Sequence, residues 1–98
     1  MGERERSVEA MLRQYSELIA AFIQKKISAD DFETEYIRTF TNDKIQVPGS
    51  EFIILEKLFF DVDDYVSDPM LRDSPEDLSG EQLRERAAAT YSKLFGRE

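Results

Sequence analysis

The side chains best suited to chemistry are four aspartates crowded into one short stretch, Asp61, Asp63, Asp64 and Asp68. Carboxylates at this density could hold a metal ion, transfer protons, or attract cations on another molecule. The chain contains no His and no Cys, so the commonest general base and every thiolate nucleophile or ligand are missing. Most enzyme chemistry is thereby excluded, and attention falls on the carboxylates.

Neither metal binding nor acid–base catalysis suits the spacing of these aspartates. Aligned as an EF-hand loop from Asp61, the stretch has Asp63 correctly at position 3. It then has Tyr65 at position 5, Val66 in place of the required Gly, and Arg72 in place of the bidentate Glu. A di-iron bundle site needs His, and a hydrolytic carboxylate pair needs a cleft and one raised pKa. We therefore predict no metal, no cofactor and no enzymatic activity.

Acidic residues are concentrated in the middle of the chain. Residues 28–81 hold 15 acidic and 4 basic side chains, whereas residues 1–27 hold 4 acidic and 5 basic ones. This balance is unsuited to direct nucleic-acid binding, because phosphate affinity comes from Lys and Arg. It favours a cationic protein partner. The alternative to a binding role is that the acidic residues only keep the protein soluble.

Helices must position these carboxylates, because apolar residues recur at helical spacing in four segments and strand-like alternation is missing. The predicted helices lie at about 7–26, from 29 to about 40, at about 51–66 and from 80 onwards. Serines suited to the N-cap position precede them: Ser7, Ser28, Ser50 and Ser79. Ser79 and Gln82 also fit a capping box. Turn-forming residues predict loops at 41–49 and 67–78.

A chain of 98 residues suits one domain. We predict an all-α fold, a compact antiparallel four-helix bundle over residues 1–98 with 1–6 as a flexible N-terminus. The apolar runs are far shorter than the roughly 20 residues that span a bilayer, and the charged N-terminus does not resemble a secretory signal. We therefore expect a cytoplasmic protein with no membrane partner, monomeric when free.

Helical spacing divides the third predicted helix into a core stripe and an outer face. The core stripe comprises Phe52, Leu55, Phe59, Val62 and Val66. Outside it lie Lys57, Asp61 and Asp64, flanked by Ile53, Ile54 and Phe60. This mixture suits an interface in which Phe60, and Tyr65 near the helix end, anchor a partner. Packing of these aromatic side chains against a neighbouring helix is the alternative.

The aspartates are expected to destabilise the helix that carries them. Each faces the negative end of the helix dipole, at roughly 0.3–1 kcal/mol if exposed. Asp64 also repels Asp61 and Asp68 across single helical turns, by some 0.2–0.5 kcal/mol per pair. Residues that oppose their own helix are typical of a functional rather than a stabilising demand.

Two stretches are similar to the family of the colicin D immunity protein. The first is residues 18–33, the predicted junction of the first two helices. The second is residues 55–69, with Leu58-Phe59-Phe60-Asp61-Val62-Asp63-Asp64-Tyr65 followed by Asp68-Pro69. The resemblance extends over about residues 18–95. It implies a four-helix antitoxin for the nuclease domain of a bacteriocin or contact-dependent inhibition system.

The resemblance also implies a mechanism, in which acidic residues cover a basic RNase or tRNase active site in place of RNA phosphates. The implied contacts are Asp61, Asp64, Tyr65 and Asp68, followed by Glu56, Phe60 and Asp63. Two other classes stay open. The chain could be an acidic adaptor or nucleic-acid mimic for another protein, or a structural helical domain without a toxin partner.

Overall fold

Amphipathic segments at the predicted places form four α-helices in the computed structural model, which describes residues 3–43, 46–66, 68–71 and 77–95. The helices are α1 (Glu3–Ile23), α2 (Ala29–Thr41), α3 (Ser50–Asp63) and α4 (Gly80–Phe95), with a 3-10 turn at Pro69–Leu71. α1 and α3 each pack against both α2 and α4. No strand occurs in the described ranges, so the predicted all-α four-helix bundle is confirmed. None of the described helices combines the length and hydrophobicity that a bilayer crossing needs.

Every helix contributes fully buried side chains to one core. They are Met11, Tyr15, Ile19 and Phe22 of α1, Phe32 and Tyr36 of α2, Leu55, Leu58 and Val62 of α3, and Leu83 and Ala87 of α4. Phe22 and Phe32 stack with ring centroids 4.2 Å apart. The buried Tyr36 hydroxyl donates to the Leu55 carbonyl at 2.9 Å. Large aromatic groups thus join α1, α2 and α3 while their polar atoms stay paired.

Two of the four predicted serine caps are present as expected. The Asp31 N–H donates to the Ser28 hydroxyl at 3.1 Å and begins α2. At the start of α4, the Gln82 N–H donates to the Ser79 hydroxyl at 3.2 Å, and the Ser79 N–H donates to the Gln82 side chain at 2.9 Å. This reciprocal pair is the predicted capping box.

The prediction that Ser7 and Ser50 are N-cap residues is wrong. α1 begins at Glu3, so Ser7 lies inside the helix and residues 3–6 of the predicted flexible start are helical. Gly49 caps α3 with a φ of 148°, a backbone region that L side chains avoid, and Ser50 is the first helical residue.

α1 ends at Ile23, three residues before the predicted boundary, in a Schellman motif. The Lys26 N–H donates to the Ala21 carbonyl at 2.8 Å, and the Lys25 N–H donates to the Phe22 carbonyl at 3.0 Å. The motif places Lys25 in the left-handed region, with a φ of 65°. Gly usually holds this position, because a Cβ there costs about 1–2 kcal/mol.

α3 also ends three residues earlier than predicted, because the chain after it pairs with the segment before α4. The Leu78 N–H donates to the Asp64 carbonyl at 2.9 Å, and the Val66 N–H donates to the Leu78 carbonyl at 3.0 Å. Val66 therefore leaves the predicted helical stripe, whereas Leu58, which the stripe omitted, is fully buried. Of the predicted loop at 67–78, residues 67 and 72–76 lie outside the described residues.

Replacing Lys25 by Gly should raise the free energy of unfolding by up to about 1 kcal/mol, because Gly adopts the left-handed conformation without strain. Lys26→Gly is the matched control, since it removes the same charge at a residue without a positive φ. The control should lose up to about 1 kcal/mol through backbone entropy. Urea denaturation of both variants measures the difference, and equal losses would contradict a strained Lys25.

Candidate functional site

Val62 decides where its two neighbouring carboxylates lie. Its side chain is fully buried, and successive helical residues point about 100° apart. Asp61 and Asp63 therefore leave α3 on opposite sides of Val62, one beside α4 and the other beside α2. These two neighbouring carboxylates consequently lie beside different helices.

Asp61 faces α4 and is paired there. The Arg86 guanidinium donates to its carboxylate at 2.9 Å, and the Asp61 side chain is only 17% exposed. Burial raises the pKa of Asp61, against the opposing influence of Arg86 and Lys57. Asp61 is therefore partly covered by α4, whereas its neighbour Asp64 is exposed.

Asp63 lies on the other side, near enough to the start of α2 to influence the pKa of Glu33. Partial burial raises the pKa of Glu33, and the nearby carboxylates of Asp30 and Asp63 raise it further. We call Asp30, Glu33 and Asp63 the acidic corner. Across the described part of the chain, no ion pair from these three residues to a cation is found. Such a group of unneutralised carboxylates favours contact with an external cation.

Tyr65 is held in the acidic corner by hydrogen bonding. Its hydroxyl donates to the Asp30 carboxylate at 2.7 Å, linking the end of α3 to the first turn of α2. The start of α4 is close as well, since a Cβ on Gly80 would lie 3.2 Å from the Ala29 Cβ and 3.8 Å from the Tyr65 ring. Gly80 thus permits three chain segments to meet at this point.

Two large apolar side chains project from the outer face of α3. Ile53 is 60% exposed and Phe60 is 56% exposed, and their separation of seven positions corresponds to two helical turns on one face. We call this pair the apolar ridge. Helical spacing places Glu56 and Asp63 along one side of it and Asp64 along the other. Phe60 touches only the edge of Phe59 among described aromatic rings, with centroids 6.0 Å apart.

Asp68 has a local structural role beyond α3. Its carboxylate accepts the Met70 N–H at 3.0 Å, and its carbonyl accepts the Leu71 N–H at 2.9 Å, which together form the 3-10 turn. The turn exposes Met70 by 89% and Leu71 by 67%. Asp68 is itself exposed, so the predicted contact residue is accessible.

The arrangement is better suited to binding than to catalysis or metal ligation. The described residues include no group of three or more side chains able to hold a metal ion. What they provide is an exposed apolar ridge beside carboxylates, the composition of a protein interface. The sequence interpretation missed Asp30 and Glu33, because it explained the acidic start of α2 by capping alone.

A family model described as bacterial self-protective colicin-like immunity matches residues 11–94. The match includes most of α1, all of α2 and α3, and α4 up to Leu94. No curated protein and no solved structure matches the chain significantly.

Phe60→Ala should cost less than about 1 kcal/mol of unfolding free energy, because more than half of the side chain is already exposed. Leu58→Ala, in the same helix, should cost about 2–5 kcal/mol because Leu58 is fully buried. Calorimetric unfolding of both variants provides the comparison. Similar losses would identify Phe60 as a core residue and remove it from the candidate interface.

Glu33→Gln should stabilise the protein at neutral pH, and this gain should shrink as the pH falls. A raised pKa means that folded Glu33 binds its proton at a higher pH than the unfolded chain does. The contribution of Glu33 to the free energy of unfolding therefore increases as the pH falls through its raised pKa. The increase is complete below the ordinary pKa of 4.5.

Urea denaturation at pH 7 and just below the ordinary value of 4.5 measures this dependence for Glu33→Gln. Glu17→Gln is the control, since it removes an exposed carboxylate from α1. An identical pH dependence in both variants would contradict the acidic corner.

Proposed function

The chain belongs to the family of bacterial self-protective colicin-like immunity proteins, and we propose from this premise that it neutralises a cognate toxin nuclease by covering its active site. The nuclease is an RNase, with transfer RNA as the substrate that the family resemblance favours. Binding takes place in the cytoplasm of the protected cell, where such a substrate is found. The immunity protein itself catalyses no reaction and binds as a monomer.

The apolar ridge is the observation that carries this proposal. A helix that exposes Ile53 and Phe60 by more than half, in a chain able to bury twelve other apolar residues, retains them at a cost in solubility. Exposed aromatic side chains supply binding energy when a partner's pocket desolvates them. Phe60 is therefore the proposed anchor, with Ile53 two turns away to fix the direction of α3 on the toxin.

Carboxylates around the ridge supply the electrostatic part of the interaction. Asp63 and Asp64 are exposed at the end of α3, and Glu56 is half-buried one turn before Phe60. A nuclease cleft is basic because it binds phosphates, and the same field attracts carboxylates. These residues accordingly occupy the positions of RNA phosphates and obstruct the substrate.

The remaining predicted contact residues contribute to the same surface in different ways. Asp61 holds α3 against α4 through Arg86 and contributes to binding through the position of the helix. Tyr65 orients the carboxylate of Asp30, which adds the acidic corner to the contact surface. Asp68 is an exposed contact at the margin.

Replacing Asp63 and Asp64 together by Asn should slow association with the toxin about tenfold at low salt, because steering by opposite charges is lost. Unfolding free energy should be unchanged or higher, since both carboxylates face the negative end of the α3 dipole. Stopped-flow association with the nuclease domain of the cognate toxin measures the rate. Glu9→Gln with Glu17→Gln is the control, because it removes two carboxylates from α1.

Ionic strength gives an independent measurement on the unaltered protein. Association should slow steeply as salt rises, because charges are screened over about 8–10 Å near physiological ionic strength. Equal association rates at low and high salt, or equal effects of the two double variants, would refute the electrostatic mechanism. A lack of toxin binding by the unaltered protein would refute the proposed function itself.

A further inference from the structure

A groove of opposite character runs between α3 and α4. Its volume is about 190 Å³, and it is lined by Ile54, Lys57, Asp61, Arg86, Ala89, Thr90 and Lys93. Arg86 and Lys93 lie seven residues apart on one face of α4, and Lys57 approaches from α3. We call this surface the basic groove.

The basic groove keeps a positive charge that its own carboxylate does not balance. Asp61 is the one acidic residue in its lining, and Arg86 is bonded to it at 2.9 Å. Lys57 and Lys93 are exposed, and no ion pair of either lysine with a described carboxylate is formed. In a chain with a net charge of −8, this site has a net excess of two cations once Asp61 and Arg86 cancel.

The groove adjoins the apolar ridge. Lys57 lies four residues after Ile53 and three residues before Phe60, so helical spacing puts it within one turn of both ridge residues. The acidic corner lies on the other flank, since Asp63 faces α2 and Lys57 faces the α4 side. The ridge therefore lies between the acidic corner and the basic groove, and Asp64 stands on the groove side at the end of α3.

We propose that the basic groove receives carboxylate side chains of the toxin, so that the toxin binds across the ridge in one orientation only. This inference rests on the proposed function and adds a second, acidic contact surface to the partner. Ala89 in the lining has a short side chain, and the groove's volume of about 190 Å³ leaves room for an incoming Asp or Glu. Charge complementarity of opposite sign on the two flanks penalises a reversed or shifted toxin, because like charges would then meet.

This arrangement differs measurably from a simple attraction between an acidic inhibitor and a basic enzyme. If only overall attraction mattered, removing cations from the inhibitor would strengthen binding, because the inhibitor would become more acidic. If the basic groove binds toxin carboxylates, removing its cations weakens binding instead. The two mechanisms thus predict opposite changes in affinity for the same substitution.

The decisive variant is Lys57→Gln with Lys93→Gln, measured against the nuclease domain of the cognate toxin. We expect its dissociation constant to rise about tenfold, chiefly through faster dissociation, because two charge-assisted contacts are lost. Arg6→Gln with Arg13→Gln is the matched control, which makes the same charge change on α1 and should leave dissociation unchanged. Lys57→Arg with Lys93→Arg keeps both charges and should retain binding.

Biosensor measurements of association and dissociation, with thermal melts to verify folding, separate the outcomes. The inference would be overturned if the Gln variant dissociated as slowly as the α1 control. It would also be overturned if that variant bound more tightly than the unaltered protein. Either result would leave the proposed function intact. Equal weakening by the Arg variant would also overturn it, because the effect would then follow from side-chain shape and not from charge. Failure of the unaltered protein to bind would refute both.

Discussion

The burial of Val62 constrains everything that α3 presents to its surroundings. Val62 is fully buried, so the helix cannot rotate without moving an apolar side chain into water, at roughly 1.5–3 kcal/mol. With the rotation fixed, Asp61 must face α4 and Asp63 must face α2, although only one residue separates them. Phe60, on the far side of the helix from Val62, is left in solvent. The burial of this one side chain therefore directs neighbouring aspartates of the same segment toward different helices.

In the resulting surface, different side chains are suited to affinity and to selectivity. In the proposed complex, desolvation of Phe60 in a partner's pocket favours binding without regard to charge, whereas Asp63 and Lys57 on either flank favour only one orientation. An immunity protein has to bind its own toxin tightly and to do so before the toxin acts. In the proposed interaction, long-range attraction by the acidic corner shortens the search, and the apolar ridge slows dissociation.

The carboxylates also illustrate that an unfavourable position in a helix can be offset by tertiary contacts. Asp61, near the negative end of α3, was interpreted as destabilising, and its raised pKa agrees that burial disfavours its charge. Arg86 opposes this effect through a direct hydrogen bond. The chain after α3 is held in turn by Asp64 and Leu78, whose backbone groups pair and bring Tyr65 to α2. The end of α3 is thus stabilised by segments far from it in sequence.

The sequence by itself determined the four helices, the serine cap of α2 and the capping box of α4, because these depend on contacts within a turn or two of the same helix. It also determined the net negative charge of the chain, since charge is a matter of composition. Only the tertiary structure decided that Asp61 pairs with Arg86, 25 residues away, and that Tyr65 binds Asp30, 35 residues away. The physical reason is that side-chain periodicity states which face of a helix is buried, whereas the neighbour on each flank depends on how separate helices pack.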